Sequence, residues 1–153
     1  MFDITALVER IVLDEGFSPV PYLCPAGVWT IGYGSTRLRG EPVTQETSSV
    51  TAKEALIQLQ SDLLCAIADC QSIYSRFAFL LGEHQEVLIG LAYQLGRTRL
   101  QGFVKMNSAV ERFDYGGWAR ELKDSKLYTQ TPERIDRYIT TILSGKRDIR
   151  NTE

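Results

Sequence analysis

Apolar residues at helical spacing open the chain. They recur every three to four positions from residue 4 to residue 12, which predicts a helix with one apolar face and Asp3 as its N-cap. Gly16 is placed to end this helix in a left-handed conformation, which glycine adopts without steric cost. Glu15 therefore falls in the last turn of the predicted helix.

A stretch of strand-forming residues comes next. Residues 22–33 favour two strands, and the segment Pro25-Ala26-Gly27 favours a turn between them. A glycine at the end of the second strand, Gly32, leaves room for the close approach of a backbone or a ligand. Residues 37–50 show no clear periodicity, and we interpret them as irregular structure.

The rest of the chain has helical patterns. A capping box at residues 51–54 opens a long helix with five residues predicted to face the core: Leu56, Leu59, Leu63, Leu64 and Ile67. Shorter helical patterns cover residues 81–96, about 104–113 and 117–123. Thr131 followed by Pro132 starts a last helix that is predicted to end at Gly145.

These elements predict an α+β fold in a single domain. We expect a small β-hairpin lobe at about residues 17–50 and a helical lobe at about residues 51–153 that includes the N-terminal helix. The long helix joins the two lobes, and a cleft between such lobes suits an extended polymer.

Composition argues against several functional classes. With 17 basic and 19 acidic residues, the chain has no strong field that favours nucleic acid or an anionic membrane. No apolar run approaches the roughly 20 residues that span a bilayer, and no leader is expected. A single histidine, His84, argues against a zinc site, and no cofactor is expected. Cys65 and Cys70 are predicted to be buried or half-buried structural residues.

Three side chains able to do chemistry lie at fixed offsets. Glu15, Cys24 and Thr30 are separated by eight and five residues, and Thr30 begins the segment TIGYG at residues 30–34. An acid at a helix end and two polar side chains on a hairpin can surround one scissile bond. The pattern resembles the Glu-x8-Asp-x5-Thr signature of phage-type lysozymes (endolysins, glycoside hydrolase family 24), with Cys24 where the family usually has Asp.

The resemblance extends along the chain. The segment YQLG at residues 93–96 is similar to a cleft helix end of that family, and residues 128–134 and 139–141 are similar to its C-terminal helices. The resemblance implies that Tyr93 and Gln94 bind the sugar, by stacking and by hydrogen bonds. It also implies that Arg134 is a substrate-binding residue like Tyr93 and Gln94, and that it pairs with Glu15 and orients it. Ser35 departs from the family pattern, in which a histidine often follows the second glycine.

Glycoside hydrolysis, which the resemblance implies, needs an acid for the leaving oxygen and a group on the other side of the sugar. Glu15 is the candidate acid, and Thr30 is expected to hold the attacking water. Three roles stay open for Cys24, because a thiol is mostly protonated at neutral pH. It can act as the general base, as a nucleophile that forms a sugar thioether, or as a group that positions water.

The family implies a lysozyme that cuts the β-1,4 bond between N-acetylmuramic acid and N-acetylglucosamine in peptidoglycan strands. We expect a monomer that stays in the host cytoplasm and reaches the periplasm and cell wall through a holin pore, without contacting the holin. One alternative is a catalytically silent peptidoglycan-binding or tail-associated structural domain. Another is a thiol hydrolase in which His84 serves Cys24 as base.

Overall fold

The computed structural model describes residues 1–151, and for residues 145–151 it describes the backbone alone. Two short antiparallel hairpins lie among helices, which confirms the α+β class. The strands are β1 (Ser18–Leu23), β2 (Trp29–Gly32), β3 (Arg37–Leu38) and β4 (Glu41–Pro42). The helices are α1 (Ile4–Glu15), α2 (Ala52–Ile73), α3 (Gly82–Leu95), α4 (Arg97–Gln101), α5 (Val104–Glu111), α6 (Tyr115–Lys123), α7 (Lys126–Gln130) and α8 (Pro132–Asn151), with a 3₁₀ turn at Phe77–Phe79.

The chain divides into two compact units, and the division falls inside α2. The hairpin unit is residues 4–65, with α1, the four strands and the first part of α2. The helical unit is residues 66–153 together with residues 1–3. Helix α1 thus groups with the strands, whereas we expected it to group with the helical lobe.

Helix α1 ends where the sequence predicts. Leu7 and Ile11 are its buried residues. Gly16 has a φ of 65°, and its N–H donates to the carbonyl of Val12 at 3.1 Å. This left-handed residue closes the last turn of the helix and fixes the direction in which the chain leaves Glu15.

Strands β1 and β2 form the predicted hairpin, with Tyr22 opposite Thr30 in the register. The N–H of Cys24 donates to the carbonyl of Val28 at 3.0 Å, and the N–H of Gly27 donates to the carbonyl of Cys24 at 2.8 Å. Gly27 has a φ of 77°, as expected for a three-residue hairpin loop that ends in a left-handed residue. The predicted turn is confirmed, although β1 begins earlier than predicted.

The prediction that residues 37–50 are irregular is wrong for the small β3–β4 hairpin. Arg39 and Gly40 both have positive φ, at 55° and 79°, which is the conformation of a two-residue hairpin turn. Hydrogen bonds from the Arg39 guanidinium to Ser48 Oγ (3.2 Å) and Glu54 Oε2 (3.0 Å) hold the arginine in this unusual conformation. Strands of only two residues are too short to show an alternating pattern in the sequence. The core of this region consists of Ile31, Leu38, Val43, Val50 and Ala55.

Helix α2 starts at the predicted cap, where the N–H of Glu54 donates to Thr51 Oγ1 at 3.1 Å. Three of its predicted core residues, Leu59, Leu63 and Ile67, are buried. The prediction is wrong for Leu56 and Leu64, which are 37% and 63% exposed. Each lies one position, or about 100° around the helix, from a buried neighbour (Ala55 and Leu63), and so falls outside the buried face of this part of α2.

The helical unit is built around α6, which packs against α5 and α8, while α3 also packs against α8. Trp118 on α6 is fully buried. The helix begins at Tyr115, before the predicted start, because the Asp114 carboxylate accepts the N–H of Gly117 at 2.9 Å. Among the residues that the structure describes, no helix is both long and apolar enough to cross a membrane.

Helix α8 starts at Pro132, directly after Thr131, as predicted. The predicted end at Gly145 is wrong, because the helix continues to Asn151. A glycine inside a helix costs only about 1 kcal/mol relative to alanine, so glycine alone does not stop one.

Candidate functional site

Glu15 lies at the C-terminal end of α1, half-buried, against the turn that follows β2. A Cβ atom added at Gly34 would lie 2.9 Å from Oε2 of Glu15 and 3.0 Å from its Cδ. Gly34 also has a φ of 82°, which disfavours any other residue. The absence of a side chain at Gly34 therefore leaves the space that the Glu15 carboxyl group occupies.

Cys24 and Thr30 are joined through one backbone carbonyl. The Thr30 hydroxyl donates to the carbonyl oxygen of Val28 at 2.9 Å, and the same oxygen accepts the N–H of Cys24. Thr30 is 4% exposed, whereas Cys24 is half-buried and carries a free thiol. Because its proton is already donated, the Thr30 hydroxyl can only accept a hydrogen bond from water.

Tyr22 lies among the three predicted residues and received no role from the sequence. It pairs with Thr30 across the hairpin. Burial raises the pKa of Tyr22, and negative charge on Glu15 and on Cys24 raises it further. Glu15 and Cys24 are therefore near enough to Tyr22 to affect its ionisation, and Thr30 lies opposite it in the hairpin. The available signal was strand alternation, since Tyr22 is two positions before Cys24.

A polar cluster of buried Ser35 and half-buried Asp62 and Gln58 lies behind the turn that contains Gly34. The Ser35 hydroxyl donates to Oδ2 of Asp62 at 2.6 Å, and the Gln58 amide donates to Oδ1 of Asp62 at 2.8 Å. Burial raises the pKa of Asp62, and the two hydrogen bonds oppose that rise. Ser35 thus has a contact in α2, although its residue type departs from the family pattern.

The other three predicted residues belong to the helical unit. Gln94 lies on α3 and donates from Nε2 to Thr131 Oγ1 at 3.1 Å, while its buried Oε1 has no partner among the described residues. Tyr93 and Arg134 are half-buried, the latter in the first turn of α8. Sugar binding by Tyr93 and Gln94, and the pairing of Arg134 with Glu15, stay predictions from the resemblance.

His84 is enclosed in the core of the helical unit, with no exposed surface. Its Nε2 is 3.1 Å from the carbonyl oxygen of Ile142, and its ring lies against Tyr115 and Trp118 at centroid distances of 4.7 and 5.8 Å. A ring packed in this way cannot act as a base for a solvent-accessible thiol. The thiol-hydrolase alternative is therefore disfavoured.

The remaining cysteines differ from each other. Cys70 is buried, as predicted, and burial raises its pKa to about 12. Cys65 is exposed, so the prediction that both are buried or half-buried is wrong for this residue. The part of the chain that the structure describes contains no group of three or more His, Cys, Asp or Glu residues that could hold a metal ion.

Comparisons with known proteins match most of the chain. The sequence profile of the phage lysozyme family matches residues 13–134, which include Glu15, Cys24, Thr30 and Arg134. Two curated relatives come from Dictyostelium discoideum. Probable T4-type lysozyme 1 is 23% identical and probable T4-type lysozyme 2 is 22% identical, and each alignment covers 93% of this chain and 96% of the relative.

Proposed function

Because the chain belongs to the phage lysozyme family, a family of glycoside hydrolases, we propose that it is a muramidase. Its substrate is the peptidoglycan strand, and it hydrolyses the β-1,4 bond between N-acetylmuramic acid and N-acetylglucosamine. The observation that carries the proposal is the placement of Glu15 against Gly34, in the same unit as Cys24 and Thr30 and beside Tyr22. A carboxyl group, a thiol and a hydroxyl in the same unit support the proposal, because such a reaction needs an acid and a second polar group.

In the proposed reaction, the Glu15 carboxyl donates its proton to the glycosidic oxygen as the bond from that oxygen to the anomeric carbon breaks. Thr30 accepts a hydrogen bond from the attacking water and so orients it. If Cys24 acts as base, its thiolate takes a proton from this water while the water oxygen bonds to the anomeric carbon.

If Cys24 acts as nucleophile, its sulfur bonds to the anomeric carbon first. Water then displaces the sulfur, with the Glu15 carboxylate as base. In the third role, the neutral thiol of Cys24 only positions the water, which loses its proton to solvent as its oxygen bonds to the anomeric carbon. Cys24 is half-buried and its thiol is free of any disulfide, which is compatible with each of these roles.

The proposed biological role is lysis of a bacterial host at the end of phage growth. It includes accumulation in the host cytoplasm and passage to the wall through a holin pore, as a monomer. This part rests on the resemblance to endolysins, and cell fractionation with and without a holin tests it. Export to the periplasm without a pore-forming partner would contradict it.

The experiment that tests the enzymatic proposal is clearing of outer-membrane-permeabilised bacteria by the wild type and by Glu15→Gln, Cys24→Ser and Cys24→Asp. Loss of a general acid is expected to reduce the rate by about 10²- to 10⁴-fold in Glu15→Gln. The matched control is Glu9→Gln, an exposed glutamate on the same helix, which is expected to clear like the wild type.

The two cysteine variants separate the roles of Cys24. Activity in Cys24→Asp but not in Cys24→Ser indicates a general base, whereas loss in both indicates chemistry specific to the thiol. A wild type that binds peptidoglycan without clearing cells would contradict the muramidase proposal and favour the silent binding domain.

A further inference from the structure

The turn that faces Glu15 is closed by backbone hydrogen bonds. The N–H of Ile31 donates to the carbonyl of Ser35 at 2.9 Å, and the N–H of Ser35 donates to the carbonyl of Ile31 at 3.0 Å. Gly34 lies inside this turn, beside the Glu15 carboxyl group. Any movement of the turn therefore changes the space available to Glu15.

Two contacts fix the turn to α2. A Cβ atom at Gly32 would lie 2.9 Å from the Cβ of Ala55, so the backbone is packed directly on the helix. The second contact is the 2.6 Å hydrogen bond from the Ser35 hydroxyl to Asp62. Gln58, one helical turn before Asp62, donates to the other carboxylate oxygen and holds that carboxylate in place. Hydrogen bonds to an ionised acceptor are about twice as strong as neutral ones.

We propose that Ser35 and Asp62 are positioning residues for the candidate acid. Through the turn from Ile31 to Ser35, they hold Gly34 against Glu15 and so fix the direction in which the Glu15 carboxyl donates its proton. This inference rests on the proposed muramidase function and extends it to residues that do not touch the substrate.

Because Asp62 is partly buried, a positioning role can be distinguished experimentally from a role in stability alone. Burial raises the pKa of Asp62, so the ionised form is less favourable in the folded protein than in the unfolded chain. Its contribution to stability is therefore present at acidic pH and is lost as the pH rises through the folded pKa. At neutral pH, Asp62→Asn is expected to keep or raise the free energy of unfolding, while weakening the hold on Ser35. A residue that serves only stability would not lower the turnover number at unchanged stability.

The test compares Ser35→Ala, Asp62→Asn and the double variant with the wild type. Matched controls are Ser61→Ala and Asp124→Asn, at exposed positions outside the cluster. We measure kcat and KM on solubilised peptidoglycan strands, thermal unfolding, and hydrogen exchange of the Ile31 and Ser35 amides. The Cys24 amide, bonded to Val28 in the neighbouring hairpin, is the internal reference.

We expect kcat to fall roughly 10- to 100-fold in either single variant with KM little changed, because misplacing a reacting group costs rate more than binding. Exchange at Ile31 and Ser35 should quicken while exchange at Cys24 stays constant. Since both residues act through one hydrogen bond, the double variant should lose no more than the worse single variant.

Three results would overturn the inference. Faster exchange with unchanged kcat would show that the held turn does not control Glu15, and would leave the proposed function standing. Unchanged exchange in both variants would show that the hydrogen bond does not hold the turn. A wild type without activity would overturn the proposed function and this inference with it.

Discussion

The hairpin unit and the helical unit differ in how fully their buried polar atoms are hydrogen-bonded. In the hairpin unit, the buried hydroxyls of Thr30 and Ser35 both have hydrogen-bond partners, Val28 and Asp62. In the helical unit, several buried polar atoms have no partner among the described residues: His84 Nδ1, Gln94 Oε1, Glu111 Oε1 and Trp118 Nε1. All four of these atoms lie in the helical unit, although its buried Tyr74 hydroxyl does have a partner, Asn107.

This difference indicates that the hairpin unit holds the reacting groups in place, whereas the helical unit mainly provides a packed core. Buried side chains with complete hydrogen bonds restrict one another and hold nearby groups in one geometry. The helical unit depends on apolar packing, with Trp118, Leu122 and Ile135 fully buried. Small changes in the hairpin unit should therefore reduce activity more than stability, whereas changes in the helical unit should mainly affect stability.

The largest effect is expected from covalent modification of Cys24. A Cys65→Ser background removes the other accessible thiol, and Cys70, buried with a pKa of about 12, should stay unmodified in the folded protein. Alkylation should then remove nearly all clearing activity without lowering Tm. Full activity after complete modification, verified by mass spectrometry of the intact protein, would show that Cys24 takes no part in the reaction.

A smaller but still large effect is expected from Gly34→Ala. The positive φ should cost about 1–2 kcal/mol of stability, and the new methyl group would displace the Glu15 carboxyl. Activity should fall roughly 100-fold. Gly40→Ala is the matched control, since Gly40 has a φ of 79° and open space around it. Equal activity in the two variants, measured at equal folded concentration, would contradict the placement of Glu15.

Thr30→Val tests the shared Val28 carbonyl. The substitution keeps the shape of the side chain and removes its hydroxyl, so we expect a loss of about 1 kcal/mol in stability. Activity should fall roughly tenfold, because the attacking water loses one acceptor, a change comparable to one hydrogen bond in the transition state. Thr36→Val, at an exposed position in the same unit, is the control. Unchanged activity in Thr30→Val would mean that the hydroxyl serves the hairpin alone.

The smallest effect concerns stability in the helical unit and depends on pH. Burial lowers the pKa of His84, so the unfolded chain binds a proton more readily than the folded protein does. Stability is then lost as the pH falls through the unfolded value of about 6.5. We expect Tm to decrease between pH 7.5 and 5.5, and to decrease less in His84→Leu. Parallel curves for the two proteins would contradict this role of burial.

Local signals in the sequence predicted much of the hairpin unit. The left-handed end of α1 at Gly16, the turn at Gly27 and the cap of α2 at Thr51 each depend on residues close in sequence. The exposure of Leu56 and Leu64 was missed, because a run of leucines does not show which member of each adjacent pair faces the core.

The contacts that surround the candidate acid, Glu15, were harder to predict. Glu15, Cys24 and Thr30 were found through a short motif, but Asp62 is far from Ser35 in sequence and lies in an ordinary helical pattern. No local rule pairs a serine in a turn with an aspartate on a distant helix. For Tyr22, strand alternation with Cys24 was an available signal, but its pairing with Thr30 depends on the strand register, which the sequence does not show.

The most direct test of the account is the identity of the products released from purified peptidoglycan. After digestion by the wild type, borohydride reduction and mass spectrometry, we predict fragments that carry reduced N-acetylmuramic acid at their ends, and none from Glu15→Gln. Fragments ending in reduced N-acetylglucosamine, or cut only in the peptide, would contradict the proposed muramidase.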